Sequence, residues 1–358
     1  MKKIALLHGA YVNAGDFLIK NRMKDLLAYY YKDVVIEEYL RNSLVLEDIS
    51  KINECDVVVM AGGPLLSNGY SNIMPFEYFD LIKKPIMLLG VGWFGASRQT
   101  NDIYNYVLDD EFKRILLRCV EDTGIIGCRD YYSMNILRNI GITDSVMTGC
   151  PAWYYLPKIN NFNIDFSGID NVKTICISDS AKPENKALDI ALFEFLRKEF
   201  KRDTRIYYVM HRNNWLELEN IKEASEKYEI KVISIAGSDV GLSIYDSCDI
   251  HIGFRVHAHI YNLSKRRYSI LIEEDGRGAG VNDALGLPAI TAYSDTMRIF
   301  GGGDASYKLN DKMCFQIQDC LYNYKDDDYI RLENSFLLMN RYFRQMEKIV
   351  LCLRKYLE

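Results

Sequence analysis

The chain has 358 residues, of which 49% are apolar and 26% are charged, and its formal net charge is −5 at pH 7. This composition is typical of a globular protein that is long enough for two domains with separate cores. A general nucleic-acid-binding protein normally carries a basic excess, so the acidic balance disfavours nucleic acid as a partner.

The cysteines and the N-terminus predict a cytoplasmic protein. Nine cysteines are scattered without a Cys-x-x-Cys pair, which predicts buried free thiols in a reducing compartment and no structural metal site. The apolar run after Lys2 and Lys3 is too short for the core of a signal peptide. No stretch approaches the roughly 20 apolar residues that span a bilayer.

Residues 1–157 alternate short apolar runs with amphipathic stretches. Strands are predicted over residues 3–8, 34–38, 56–61, 85–91, 125–128 and 145–148. Helices are predicted over residues 16–30, 75–83, 110–120 and 131–140. Strands that alternate with helices indicate βαβ units, so this part is predicted to be a Rossmann-like domain with a mainly parallel sheet.

A polar, Asn-rich linker follows, and a second alternating series is predicted over residues 172–328. Its strands are predicted over residues 173–178, 205–210, 231–235, 249–253 and 268–272. Its helices are predicted over residues 185–200 and 215–228, and a long helix within 329–358 is expected to pack across both domains. Two Rossmann-like domains predict a GT-B-like α/β architecture whose ligands bind in the inter-domain cleft.

The most specific motif is Gly-Phe-Arg-Val-His-Ala-His at residues 253–259, between a predicted strand and a helix. Such junctions attract anions through free backbone N–H groups and the helix dipole. Arg255 can grip a phosphate or carboxylate, and His257 can transfer a proton. The motif predicts chemistry on an anionic substrate, although an inter-domain salt bridge with a buried His257 is the structural alternative. His251, inside the strand, is expected to be structural.

Three glycine-containing turns follow predicted strands of the first domain, at residues 9–16, 61–67 and 90–95. Glycine allows close approach of the backbone to a ligand, and an aromatic ring can stack on a sugar. Tight turns, helix caps and core packing explain the same residues equally well. The candidates for acceptor binding in these turns are Asn13, Gly15, Asp16, Gly62, Gly63 and Trp93.

Further charged residues also follow predicted strands. Arg129 opens a helix and can point into the cleft, or form a structural salt bridge. His211 and Arg212 place another cation on the cleft side. Glu274 and Asp275 can bind sugar hydroxyls, accept a proton or cap the next helix.

The order of these motifs resembles the polysaccharide pyruvyl transferase family. The segments that carry the resemblance are residues 12–16, 62–65, 90–92, 129–133 and 255–257. The chain departs from the family pattern at Pro64, which replaces a third glycine, and at residues 149–152, where an Asp-Pro-Ala type sequence is common. The run at residues 273–278 replaces the more common Tyr-x-x-Lys pattern, which leaves both donor and acceptor open.

The resemblance implies transfer of pyruvate from phosphoenolpyruvate to a sugar as a cyclic ketal, with no cofactor or metal. Candidate donor-binding residues are Arg255, Val256, His257, Arg129, His211 and Arg212. Candidate catalytic residues are Arg255, Asp16 and His257, the last as a proton donor near neutral pH. The acceptor is expected to be a nucleotide- or lipid-linked precursor of a surface glycan. Transient membrane contact and homo-oligomer formation stay open.

Two other classes of function fit the same residues. In a GT-B glycosyltransferase, Arg255 would hold the diphosphate of a nucleotide sugar and Asp16 would be the base. In a glycan-binding module, the fold would persist without the chemistry, which the departures at Pro64 and Asp275 would allow.

Overall fold

The computed structural model describes residues 1–66, 68, 74–95, 104–212, 218–237, 240–294 and 308–358. The first sheet consists of β1 (Lys3–His8), β2 (Val35–Leu40), β3 (Val57–Leu66), β4 (Ile86–Trp93), β5 (Ile126–Cys128) and β6 (Ser145–Met147). All its pairs are parallel, in the order β2-β1-β3-β4-β5-β6. Its helices are α1 (Ala14–Tyr30), α2 (Leu46–Ile52), α3 (Phe76–Leu81), α4 (Asp110–Thr123) and α5 (Tyr131–Asn139).

The second sheet consists of β7 (Thr174–Ser178), β8 (Arg205–Met210), β9 (Ile230–Ser234), β10 (Ile250–Gly253), β11 (Tyr268–Glu273) and β12 (Ile290–Thr291). It is also parallel, in the order β12-β11-β10-β7-β8-β9. The remaining helices are α6 (Lys186–Glu199), α7 (Leu218–Lys227), α8 (Val256–Ser264), α9 (Gly276–Leu285), α10 (Met313–Asp326), α11 (Ile330–Leu351) and α12 (Arg354–Leu357).

Each sheet contains a point where the strand order reverses. In the first sheet, β1 lies between β2 and β3; in the second, β7 lies between β10 and β8. Loops that leave the carboxyl ends of strands at such a point diverge and open a crevice. The loop after β10, which carries the 253–259 motif, therefore starts beside the loop after β7.

Alternate residues of β1 belong to two different cores. Ile4 and Leu6 join a buried cluster that continues through the second domain, whereas Ala5 and Leu7 join a cluster formed by the first domain. This alternation follows from the opposite orientation of successive side chains in a strand. Both faces of β1 are therefore covered, as expected for a parallel sheet flanked by helices.

The predicted α/β order is confirmed, apart from strand β12, which was not predicted. Strand β3 continues to Leu66 because Gly62 and Gly63, at φ +50° and +84°, keep the chain paired with β4. Helices α2 and α10 were not predicted, although α10 buries Met313, Ile317 and Leu321 at helical spacing. The helix predicted from residue 215 is observed from Leu218, and residues 213–217 lie outside the described residues. The domain limits at residues 157 and 172 stay predictions.

Helix α11 touches both domains. The hydroxyl of Tyr31, the C-cap residue of α1, donates to the carbonyl of Val350 at 2.7 Å. The hydroxyl of Tyr342 donates to the carbonyl of Ala284 in α9 at 2.9 Å. These contacts join the C-terminal segment to elements on either side of the cleft. No helix in the described segments is both long and apolar enough to cross a membrane.

One prediction about the cysteines is wrong. Cys176 in β7 and Cys248, which precedes β10, form a disulfide with their Cα atoms 6.0 Å apart. The two residues are 72 positions apart in sequence, and only the pairing of β7 with β10 brings them together. The other seven cysteines are free thiols.

Candidate functional site

A cleft lined by residues of both domains lies where the two domains meet. The first domain contributes Asn13. The second contributes Ala181, His211, Arg212, Phe254, Arg255, Val256, His257, Glu274, Asp275 and Arg277. The 253–259 motif therefore lines the cleft, as predicted.

The second sheet places this motif through the pairing of its two central strands. Gly253 at the end of β10 is in register with Ser178 at the end of β7. Beyond this pair, the backbone N–H of Phe254 donates to the carbonyl of Ser178 at 3.2 Å. Arg255 then occupies the N-cap position of α8, and His257 lies in its first turn. Both side chains thus project from a helix N-terminus, where anions are favoured.

Arg255 is a fixed cation. Its Nε and Nη2 atoms donate to the carboxylate of Asp179 at 2.7 and 2.6 Å. Burial acts to raise the pKa of Asp179, but the charge and hydrogen bonds of Arg255 outweigh burial and lower it. The salt bridge that the sequence allowed for Arg255 therefore exists, but it lies within the second domain and holds the guanidinium at the cleft.

His257 is pressed against helix α1 of the first domain. A Cβ atom at Gly15 would lie 2.0 Å from Nδ1 of His257, so only glycine fits beneath the imidazole. Within the described part of the chain the ring has no hydrogen-bond partner. Burial first, and then the charges of Arg277 and Arg129, lower the pKa of His257 to about 3. The imidazole is therefore neutral at pH 7, which differs from the proton donor near neutral pH that was predicted.

Arg212 is the cleft cation with the fewest partners. None of the described residues forms a hydrogen bond or ion pair with its side chain. Loss of hydration, followed by repulsion from Arg255 and Arg277, lowers the pKa of Arg212. Positive charges that repel one another around a small cleft are an arrangement that an anion would relieve.

Arg277 is a cleft residue that the sequence analysis did not select. Its guanidinium donates to the carboxylate of Asp275 at 3.0 and 2.7 Å and stacks 4.3 Å from the ring centre of Phe94 in the first domain. Asp275 also caps α9, because its side chain accepts from the backbone N–H of Arg277. Both carboxylate oxygens of Asp275 thus accept from Arg277, and its role toward an acceptor sugar stays a prediction.

The carboxylate of Glu274 is held by hydrogen bonds from the segment that follows β7. Its carboxylate accepts from the backbone N–H of Ala181 at 2.9 Å and from the side chain of Asn185 at 2.6 Å. Burial raises the pKa of Glu274 to about 7, although the charge of Arg255 opposes this. The carboxyl group supports the loop after β7 and also lines the cleft, so its contact with an acceptor sugar stays a prediction.

Asn13 lines the cleft at the start of α1, and Asp16 lies in the first turn of this helix. The side chain of Asn13 caps this helix and accepts from a first-turn backbone N–H at 3.1 Å. Burial raises the pKa of Asp16, against the charges of Arg41, Arg277 and Arg212. A carboxylate with a raised pKa that faces cations across the cleft is suited to accept a proton.

Three predicted acceptor residues lie elsewhere. Gly63 packs against the buried guanidinium of Arg41, whose Nη1 donates to the carbonyl of Gly62 at 3.1 Å. Trp93 is 2% exposed and its ring packs near Tyr106. A buried indole offers no face to a sugar, so the predicted stacking role of Trp93 is wrong for this structure.

Arg129 and His211 support the site from behind. Arg129 donates to Asp130 at 3.0 Å and to the carbonyl of Trp93 at 2.8 Å, and it does not line the cleft. His211 lines the cleft, but its Nε2 atom hydrogen-bonds to the hydroxyl of Tyr245 at 2.7 Å, and burial lowers its pKa to about 3. The predicted donor contact of Arg129 does not fit its place outside the cleft lining, whereas that of His211, which lines the cleft, stays a prediction.

Two of the residues that build the site were missed in the sequence. Asp179 follows a predicted strand in the run Ser-Asp-Ser, which was a usable signal, but its partner Arg255 lies 76 residues away. Arg277 follows Asp275 by two positions, a spacing that suits a side-chain pair at a helix start. Across the described residues, no group of three or more His, Cys, Asp or Glu side chains could hold a metal ion.

A model of the polysaccharide pyruvyl transferase family matches residues 13–275, which is more than half of the chain. The chain belongs to this family. The resemblance inferred from the ordered motifs is therefore confirmed, and the family is one of transferases. No curated protein sequence gives a significant match.

Solved structures similar to this pyruvyl transferase family member include UDP-N-acetylglucosamine 2-epimerases. The S. aureus MnaA structure with UDP is 13% identical, covers 100% of this chain and 97% of its own, and has a TM-score of 0.55. The Neisseria meningitidis epimerase bound to UDP-GlcNAc is 12% identical, covers 98% of each chain and has a TM-score of 0.54. At this identity the likeness shows the fold alone, and it confirms the predicted GT-B-like arrangement of two parallel-sheet domains.

Proposed function

We propose that this protein transfers the pyruvate group of phosphoenolpyruvate to a sugar of a surface glycan precursor, forming a ketal. The observation that carries the proposal is the cationic cleft itself. It combines the fixed guanidinium of Arg255 with Arg212 and His257, for which the described chain supplies no hydrogen-bond partner. Phosphoenolpyruvate bears a phosphate and a carboxylate, and two anionic groups require several cations at short range.

The donor would bind with one anionic group at the start of α8, against Arg255, and with the other toward Arg212. Its negative charge would offset the repulsion that Arg277 exerts on His257. The pKa of His257 would therefore rise on binding, and the imidazole would take up a proton. In this way a histidine that is neutral in the free site becomes an acid when the donor is present.

The reaction then needs three proton transfers and the cleavage of one C–O bond. A sugar hydroxyl attacks C2 of the donor and gives its proton to Asp16, while His257 protonates C3 of the enol. The bond between C2 and the phosphate oxygen breaks, and phosphate leaves against Arg255, which stabilises its charge. A second hydroxyl attacks C2 and gives its proton to the imidazole of His257, which is neutral after the first step, and this closes the ketal.

The acceptor would approach from the first domain, past Asn13 and Gly15, because Asp16 lies on that side. A nucleotide- or lipid-linked glycan precursor fits this placement, since only its sugar has to enter the cleft. A lipid-linked acceptor would require transient membrane contact, and the reaction would take place in the cytoplasm.

The proposal is tested by ligand binding and turnover with matched variants. Phosphoenolpyruvate should raise the melting temperature of the wild type, and release of phosphate should depend on acceptor. Arg255→Ala and His257→Gln should abolish release without unfolding the protein. Arg114→Ala is the control and should behave as wild type, because it removes an exposed arginine of α4 that pairs with Asp80 of α3. Stabilisation by UDP- or GDP-sugars but not by phosphoenolpyruvate would contradict the proposal and support a glycosyltransferase.

A further inference from the structure

A line of buried polar side chains runs beneath the donor motif. His251 in β10 lies between two serines, with its Nδ1 2.7 Å from Oγ of Ser269 in β11 and its Nε2 2.9 Å from Oγ of Ser178 in β7. Oγ of Ser269 is also 2.7 Å from Nδ1 of His259 in α8. At the other end, the backbone N–H of Arg255 donates to Oγ of Ser178 at 3.0 Å. Both histidines and both serines are fully or almost fully buried.

The hydrogen bonds of this line can be given a direction by counting protons. Burial lowers the pKa of His251 and of His259, so both rings are neutral and each carries one N–H. Ser178 accepts from Arg255, and the acceptor within reach of its own proton is Nε2 of His251. His251 must then donate from Nδ1 to Ser269, which donates to His259.

The opposite direction pairs fewer groups. It would leave the proton of Ser178 without an acceptor and would also leave Nε2 of His259 unpaired. In the first direction, the single unpaired group is the N–H on Nε2 of His259, which is buried without a partner in the described structure. Unpaired buried polar groups are costly, so the direction that starts at the N–H of Arg255 is favoured.

Apolar packing would be the ordinary choice at these positions. The central strands of a parallel sheet are covered on both faces and are usually rich in Val, Ile and Leu. Polar side chains there destabilise the fold unless they are paired, and this line retains one unpaired end. Local departures of this kind are expected at functional sites.

A second set of hydrogen bonds fixes the side chain of Arg255. The carboxylate of Asp179, which holds the guanidinium of Arg255, accepts from the backbone N–H of His211 at 3.1 Å. The side chain of His211 is fixed by Tyr245, whose ring packs edge-on against His251 with the ring centres 5.4 Å apart. The backbone and the guanidinium of Arg255 are thus anchored to one buried layer.

We propose that Ser178, His251 and Ser269 are positioning residues that hold Arg255 in its donor-binding orientation. This inference rests on the proposed function, because it takes Arg255 to be a donor ligand. The three residues lie behind the cleft wall and act through the backbone N–H of Arg255, without touching the donor.

Isothermal titration of the full chain with phosphoenolpyruvate measures the effect on affinity. Ser178→Ala leaves the N–H of Arg255 unpaired and lets its backbone reorient, and affinity should fall about tenfold, which corresponds to about 1.4 kcal/mol of lost preorganisation. Ser264→Ala is the matched control. It removes an equally buried hydroxyl of α8, which donates to the carbonyl of Tyr261 at 2.8 Å, and it should leave the affinity unchanged.

Nitrogen-15 NMR of the imidazoles reads the hydrogen-bond direction and does not depend on the donor. The chain has five histidines, so each can be assigned with a single variant. His251 should carry its proton on Nδ1, the less common tautomer. Ser269→Ala removes the acceptor for this proton and should move it to Nε2, with a smaller loss of affinity than in Ser178→Ala.

The outcomes separate the two proposals. If Arg255→Ala still binds phosphoenolpyruvate as the wild type does, both the proposed function and the positioning role are overturned. If Arg255→Ala loses binding but Ser178→Ala matches Ser264→Ala, only the positioning role is overturned. A proton on Nε2 of His251 in the wild type would likewise overturn the assigned direction and the role of Ser269.

Discussion

The contact between Gly15 and His257 allows a sharp test of how the cleft is assembled. Gly15→Ala places a Cβ atom 2.0 Å from Nδ1, 2.3 Å from Cγ and 2.7 Å from Cβ of His257. Ordinary contacts between such atoms are about 3.5 Å. The imidazole or the helix must therefore move by about 1.5 Å, which the packed cleft resists.

Two effects of Gly15→Ala have opposite signs. Alanine is preferred over glycine inside a helix by about 1 kcal/mol, so α1 on its own would become more stable. The clash displaces the imidazole, and a misplacement of about 1 Å in a reacting group can reduce turnover about 100-fold. We therefore expect kcat/KM for phosphoenolpyruvate to fall about 100-fold, with a lower melting temperature than in the wild type.

The assay is phosphate release together with thermal unfolding, in a double-mutant cycle with His257→Gly. This variant removes the imidazole and the Cβ atom of residue 257, and with them the clash, so Gly15→Ala should lower the stability of the wild type but maintain or raise that of His257→Gly. If Gly15→Ala keeps the kcat/KM of the wild type and has a higher melting temperature, the close contact between Gly15 and His257 is refuted. The way in which the two domains form the cleft would then be refuted as well.

Three further predictions concern charges at the cleft. Binding of phosphoenolpyruvate at pH 7 should take up a proton in the wild type but not in His257→Gln, because the pKa of His257 in the free protein is about 3. Calorimetry in buffers of different ionisation enthalpy measures this uptake, and equal uptake in both proteins would exclude His257 as the group that is protonated. Burial raises the pKa of Glu274 from 4.5 to about 7, so the free energy of unfolding of the wild type should fall from pH 5 to 8 by up to about 3 kcal/mol relative to Glu274→Gln. Urea unfolding measures this difference, and parallel pH profiles of the two proteins would contradict the raised pKa. Arg277→Ala should lower the free energy of unfolding by about 3 kcal/mol because it leaves the buried carboxylate of Asp275 unpaired, whereas Arg114→Ala should have no measurable effect. Equal losses of stability in urea unfolding would argue against a buried ion pair between Arg277 and Asp275.

The sequence predicted the order of the elements and the place of the donor motif. Apolar runs followed by amphipathic stretches are local patterns, so strands such as β1 and β7 and helices such as α5 could be recognised without coordinates. The 253–259 motif was placed correctly at a cleft because parallel strands end at one edge of their sheet. Trp93 could not be assigned, because a ring after a strand can face either a ligand or the core.

The sequence by itself determined the α/β class, the family and the motif with Arg255 and His257, since all of these depend on neighbouring residues or on the order of short segments. Only the tertiary structure decided which groups pair: Asp179 with Arg255, Cys176 with Cys248, and the ring of His257 with Gly15. These partners are separated by 72 positions or more, and their contact depends on strand order and on the seating of one domain against the other. The protonation of His257 follows the same rule, because burial and distant arginines, and not its neighbours in sequence, lower its pKa.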